Sequence, residues 1–188
     1  MNVFDFDGTI YDGDSETDFF FYCVGKFPKV RKHLFPCVVY GIGYLLRFVK
    51  TKAFKQKVTG FVRYIDDIDG AVSDFWKSHE ENIKKWYLEK KQNTDVIISA
   101  SPEFLLVPIC EKLGVECLMA TRADKHTGVI DGENCHGEEK VKRFYQKYPD
   151  GKIDEFYSDL YCDTPLAKLA TKAYIVKGEK LTPWKKFK

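Results

Sequence analysis

The sequence predicts an α/β fold: an open parallel sheet with a small all-helical unit inserted directly after the first strand. Three observations carry this. Met1 to Phe6 is a short apolar run that breaks at Gly8-Thr9, the pattern of a strand buried on both faces and followed by a loop. Residues 14–91 hold apolar and aromatic residues at helical spacing, with no alternating pattern. From Asp95 onward, short apolar strands alternate with helical stretches, the texture of βαβ units.

In chain order, Asp14-Ser15-Glu16-Thr17-Asp18 is a helix start with acids in its first turn, followed by Phe19 to Tyr22. Breaks are expected at Gly25 to Pro28, Pro36, Lys50 to Lys52 and Asp66 to Gly70, and Asp74 to Glu89 forms a further amphipathic stretch. The insert is therefore a module of about four helices, and the polar segment Lys90 to Thr94 returns the chain to the sheet. The expected division is a core of residues 1–13 and 92–188 with a helical unit of residues 14–91. In the core, Val96 to Ile98 is a strand, Pro102 to Leu113 a helix and Val115 to Met119 a strand. Arg122 to Cys135 reads as a hairpin or irregular excursion, and Gly137 to Tyr148 as a helix with Val141, Phe144, Tyr145 and Tyr148 along one stripe. Ile153 to Tyr157 is a strand, Thr164 to Thr171 a helix and Ala173 to Val176 a last strand.

A chain of 188 residues, 44% hydrophobic and 15% aromatic, builds one ordinary core plus an accessory unit and is not a disordered composition. The net charge of +2 conceals an asymmetry. No acid occurs between Asp18 and Asp66, a segment with ten lysines and arginines, so an anionic partner is expected there. The six cysteines include no C-x-x-C pair and read as reduced thiols of a cytoplasmic protein. A strand at the very start argues against a signal peptide. The longest uncharged run, Leu34 to Leu46, is well short of the roughly 20 residues that span a bilayer.

Four stretches carry candidate chemistry. Asp5 and Asp7 stand at the carboxyl end of the first strand, where open α/β sheets place ligands, and two carboxylates so close call for a cation. A plain turn at Asp-Gly-Thr is the alternative; an EF-hand is not, because glycine falls at the fourth loop position rather than the sixth. Ser99 ends a strand, while Ser101-Pro102 reads as the N-cap and first residue of the next helix, whose free N–H groups suit an anion. Lys140 and Lys142 both flank the apolar stripe of a helix, and periodicity does not choose between them. Asp159 and Asp163 follow a strand, Asp163 also in position to cap the helix at Thr164-Pro165.

Together Asp5-Phe-Asp-Gly-Thr, Ser99-Ala-Ser-Pro, Gly137-Glu-Glu-Lys140 and Asp159-x-x-x-Asp163 resemble, in order, the four motifs of the haloacid dehalogenase superfamily. The insert after the first motif resembles that of its phosphoserine phosphatase-like branch. The resemblance implies a Rossmann-like core with a helical cap and a magnesium-dependent phosphatase that works through an aspartyl-phosphate. It implies Asp5 as nucleophile, Asp7 as proton shuttle, Ser99 and Lys140 on the phosphate, and Mg²⁺ held by Asp5, the Asp7 carbonyl oxygen and Asp159. Asp163 would orient the ligands of the metal. Phosphate-ester hydrolysis demands acceleration of up to roughly 10²¹-fold, against about 10²–10⁴ from general acid catalysis alone, so a metal and a phosphate cradle are expected together.

The chain departs from the serine phosphatases of that branch. It has Asp14 where they carry a glutamate, and Ser-Ala-Ser-Pro in place of Ser-Gly-Gly-Phe, which puts phosphoserine in doubt and makes Asp14 a candidate specificity residue. The expected substrate is a small-molecule or lipid head-group phosphate, including a phosphatidylglycerophosphate-type lipid met at the membrane surface by the basic insert. A phosphotransferase would use the same residues. A non-catalytic lipid- or nucleic-acid-binding module is disfavoured by the complete set of site residues, and nucleic acid is not an expected partner.

Overall fold

The computed structural model describes residues 1–185. A six-stranded sheet runs in the order β3-β2-β1-β4-β5-β6. β1 (Asn2–Phe4) is central, between β2 (Val96–Pro102) and β4 (Ile153–Ser158), both parallel to it. β3 (Cys117–Thr121) and β5 (Ala170–Lys177) extend the parallel array, and β6 (Lys180–Pro183) closes one edge antiparallel to β5. The chain steps to one side of β1 and then to the other, so β1 lies at the switch point where such sheets open a crevice. Phe4 pairs with Ile97 and Tyr157, which brings the carboxyl ends of three strands level.

Strand alternation sorts the core. Phe4, Ile97 and Tyr157 face one layer, formed by α1 (Ser15–Lys26), α4 (Ile68–His79), α5 (Lys85–Lys90) and α6 (Glu103–Leu113). Val3, Val96, Ile98 and Phe156 face the other, where α7 (Glu138–Lys147) and α8 (Thr164–Ala167) supply Phe144, Leu166 and Ala167. On the first face Phe4 stacks on Tyr157 at 4.8 Å and meets Tyr87 of α5 edge-on at 5.1 Å. Trp76 of α4 meets Phe6 and Tyr11 edge-on and donates to the Leu105 carbonyl at 2.7 Å. The helical segment thus shares a continuous apolar cluster with the sheet.

Between β1 and β2 the structure has five α-helices, including α2 (Leu34–Leu45) and α3 (Thr51–Thr59), joined partly by 3₁₀ turns. Several expected boundaries shift. Pro36 does not break a helix; it lies in the first turn of α2, where its missing N–H is an orphan anyway. The break expected at Asp66 to Gly70 falls slightly earlier, at Ile65 to Asp67, where Asp67 caps α4 by accepting from the Gly70 N–H at 2.9 Å. The expected stretch Asp74 to Glu89 is cut after His79. There the backbone bonds the loop after β1 instead: Asp12 N donates to Asn82 O and Lys84 N to Ile10 O, both at 2.8 Å. Near the C-terminus, Ala170 and Lys172 pair with β4, so α8 is shorter than expected and β5 longer. β6 adds a strand beyond the expected set. Among the described residues no helix is long and apolar enough to cross a membrane, and all six cysteines are free.

Candidate active site

A cavity of about 460 Å³ opens at the carboxyl ends of β1, β2 and β4, and Asp5, Asp7, Asp14, Lys140, Asp159 and Asp163 all line it. The loop after β1 is built by its own backbone. Asp5 N continues the ladder to Tyr157 O at 2.9 Å, and then the N–H groups of Thr9, Ile10 and Tyr11 converge on Phe6 O. Gly8 is required here: its φ is +66°, and a Cβ would sit 2.2 Å from Asp159 Oδ2. The Thr9 hydroxyl accepts from Asp159 N at 2.9 Å, so the first and fourth motifs lock together.

Lys140 resolves the choice that periodicity left open. It is 2% exposed, and its Nζ lies 2.9 Å from Asp5 Oδ1 and 2.7 Å from Asp163 Oδ2, whereas Lys142 is on the surface beside Glu139. Burial opposes the charge on Lys140, yet the carboxylates of Asp5 and Asp163 outweigh it and hold its pKa above the usual lysine value. Burial pushes Asp5 up to about 7 against the pull of Lys140, with Asp163 and Asp7 adding to the rise. Phe6 N and Lys140 both bond Oδ1 of Asp5, which leaves Oδ2 without a hydrogen bond.

Asp7 is held from two sides, by Ser15 N at 2.7 Å and the Ser101 hydroxyl at 2.6 Å. Burial raises its pKa and Asp14 adds to the rise, against the hydrogen bonds from Ser101 and Ser15. The cap expected of Ser101 is not made. β2 runs on to Pro102, which pairs with Thr121, so α6 starts at Glu103 without a side-chain cap and Ser101 turns into the site. Ser99, two residues earlier on the same strand, is fully buried; its hydroxyl is 3.5 Å from Asp7 Oδ2 and accepts from Ser101 N. Asp163 makes no cap bond for α8 either: its Oδ2 accepts from Lys140 and from the Ser158 hydroxyl. Asp14 caps α1 by accepting from Thr17 N and stands exposed at the cavity rim.

The helical insert contributes residues that sequence reasoning missed. Lys84, buried between α4 and α5, donates to the Gly8 carbonyl. Lys55 of α3 donates to the Ala100 carbonyl and pairs with Glu16 at 3.4 Å, and Glu16 also accepts from the Thr59 hydroxyl at 2.5 Å. Two lysines thus brace the loop after β1 and the carboxyl end of β2. No local pattern marks them, because lysines in a basic helical stretch ordinarily read as solvated.

The donor set fits a small hard cation. Asp159 Oδ1 is buried with no hydrogen-bond partner, beside an Asp5 whose ionisation burial opposes. Among the described residues no three His, Cys, Asp or Glu side chains form a ready-made metal group. Two carboxylates supplemented by backbone carbonyl and water are, however, what magnesium usually takes from a protein.

A model of the haloacid dehalogenase-like hydrolases matches residues 3–168. Protein CicA of Caulobacter vibrioides is 33% identical over 81 residues, which are 40% of this chain and only 36% of that protein's length. Among solved structures, a protein of unknown function from Bordetella pertussis Tohama I superposes with a TM-score of 0.77 at 19% identity, over 92% of this chain and 87% of that one. A phosphoserine phosphohydrolase-like protein from Francisella tularensis subsp. tularensis SCHU S4 gives 0.61 at 18% identity, over 92% and 86%. A probable phosphoserine phosphatase from Vibrio cholerae gives 0.64 at 12%, over 92% and 55%. At these identities the structures attest the shared fold. The family match runs from β1 to the end of α8 and takes in the insert and all four motifs, and the chain belongs to the haloacid dehalogenase-like hydrolases.

Proposed function

We propose that this chain is a magnesium-dependent phosphatase that hydrolyses phosphate monoesters through an aspartyl-phosphate on Asp5. The observation that carries the reading is the buried Lys140 ammonium between Asp5 and Asp163, because it fixes one carboxylate oxygen of Asp5 and leaves the other toward the cavity. Asp5 Oδ2 attacks phosphorus as the bond to the leaving alkoxide breaks, and Asp7 gives that alkoxide its proton. Asp7 then takes a proton from water, whose oxygen attacks phosphorus and frees Asp5 and inorganic phosphate. Lys140, Ser99 and Ser101 hold the phosphoryl oxygens, and Asp163 keeps Lys140 in place. Magnesium, held by Asp5, the Asp7 carbonyl and Asp159, would supply neutralisation of phosphoryl charge.

Residues 14–91 serve as the cap in this reading. Asp14, Glu16 and Lys55 at the cavity wall select the substrate, a small-molecule or head-group phosphate. The test is release of inorganic phosphate from an aryl phosphate, without any added acceptor. The wild-type chain with magnesium hydrolyses it, a chelator stops the reaction and added magnesium restores it, and Asp5→Asn is inactive. Full activity of Asp5→Asn, or hydrolysis indifferent to chelator, would sink the assignment.

A further inference from the structure

α2 has 12 residues and fully buries no side chain, although Leu34 to Leu46 carries no charge. Phe35, Val38, Val39, Ile42, Leu45 and Leu46 are all exposed, Leu45 by 80%, and their spacing sets them along one side of the helix. A different side of α2 holds the hairpin together, where Tyr44 stacks on Phe54 of α3 at 5.0 Å. The chain leaves α2 through Arg47 at φ +63°. Phe48 N donates to Gly43 O at 2.8 Å and Arg47 N to Tyr44 O at 2.9 Å, the paired bonds of a Schellman ending. The apolar contact usual to that ending falls on Gly43, which has no side chain, so Phe48 stays 85% exposed at the tip.

The surroundings indicate what covers this stripe. Arg31 and Lys32 precede α2 and Arg47 and Lys50 follow it, all exposed, in a segment from 19 to 65 that has no acid. An apolar stripe with a cationic rim complements a surface that is apolar beneath and anionic at its head groups. A second copy would set two cationic rims against each other. At 1.5 Å per residue α2 is about 18 Å long, short of the ~30 Å hydrocarbon core, so it suits lying in the interface and not spanning it. We propose that the α2–α3 hairpin docks the protein on the surface of an anionic lipid bilayer. Since Lys55 of α3 lines the site cavity, docking brings that cavity to the head-group region.

The test is co-sedimentation of the full chain with vesicles of equal parts phosphatidylcholine and phosphatidylserine, or of phosphatidylcholine alone, at low and high salt. Binding to the anionic vesicles at low salt, weakened by salt and by omission of phosphatidylserine, is expected. Leu45→Ser with Phe48→Ser, and separately Arg47→Glu with Lys50→Glu, should each weaken it by roughly tenfold or more, with thermal unfolding unchanged. Absence of binding to anionic vesicles at low salt, or binding untouched by both double variants, overturns the proposal. So does a dimer that Leu45→Ser with Phe48→Ser dissolves when no vesicle binding is found, since the stripe then belongs to a second copy. Catalysis does not enter the readout, so this inference and the phosphatase reading fail separately.

Discussion

α2 and α4 are helices of equal length in the same insert, both rich in large apolar side chains, and the protein uses them in opposite ways. α4 buries Ile68, Val72, Phe75 and Trp76 and turns Asp74 and Lys77 outward, where they pair with each other and Asp74 also holds Lys26. α2 has no charged residue to turn outward and presents its apolar side to solvent. Apolar content alone therefore does not tell a core helix from an exposed one; a charged opposite face does. The packed half of the insert supports the site, and the exposed half is free to meet something outside the molecule.

That contrast breaks most visibly at Trp76. Trp76→Ala removes an indole packed on Phe6 and Tyr11 together with its hydrogen bond to the Leu105 carbonyl, and it should cost about 3–5 kcal/mol of stability by denaturant unfolding. A loss under ~1 kcal/mol would mean that α4 is not tied to the core as described. Lys84→Met should come next, at about 1–3 kcal/mol for the Gly8 carbonyl left without its donor. It should also lower kcat, because the loop that aims Asp7 loses its brace; unchanged kinetics would confine Lys84 to a structural part. Leu45→Ala should change stability by no more than about 0.5 kcal/mol. A larger loss would show that α2 is packed after all.

Most of the sheet and the heart of the site were legible in the sequence. Buried strands read as apolar runs, and Asp5, Asp7 and Asp159 follow such runs directly, so local pattern sufficed. Lys140 needed the family resemblance, since helical spacing placed Lys140 and Lys142 alike. Ser101 misled for a physical reason: Ser-Pro is a good helix start by itself, but pairing of Pro102 with Thr121 keeps the chain extended and carries the hydroxyl to Asp7. Glu16, Lys55 and Lys84 were invisible because their partners are far along the chain, at Thr59, Ala100 and Gly8. β6 exists only as the partner of β5, through a turn at Gly178, and its short polar sequence carries no alternation of its own.

The central claim is that Asp5, and not Asp7, forms the covalent bond to phosphorus. Wild-type protein turning over an aryl phosphate with magnesium, quenched in acid and reduced with borohydride, converts an acyl phosphate to homoserine, which peptide mass spectrometry locates. Homoserine at position 5, and none at position 7, is the expected result. Homoserine at position 7, or none anywhere while phosphate is released in steady turnover, would contradict the account.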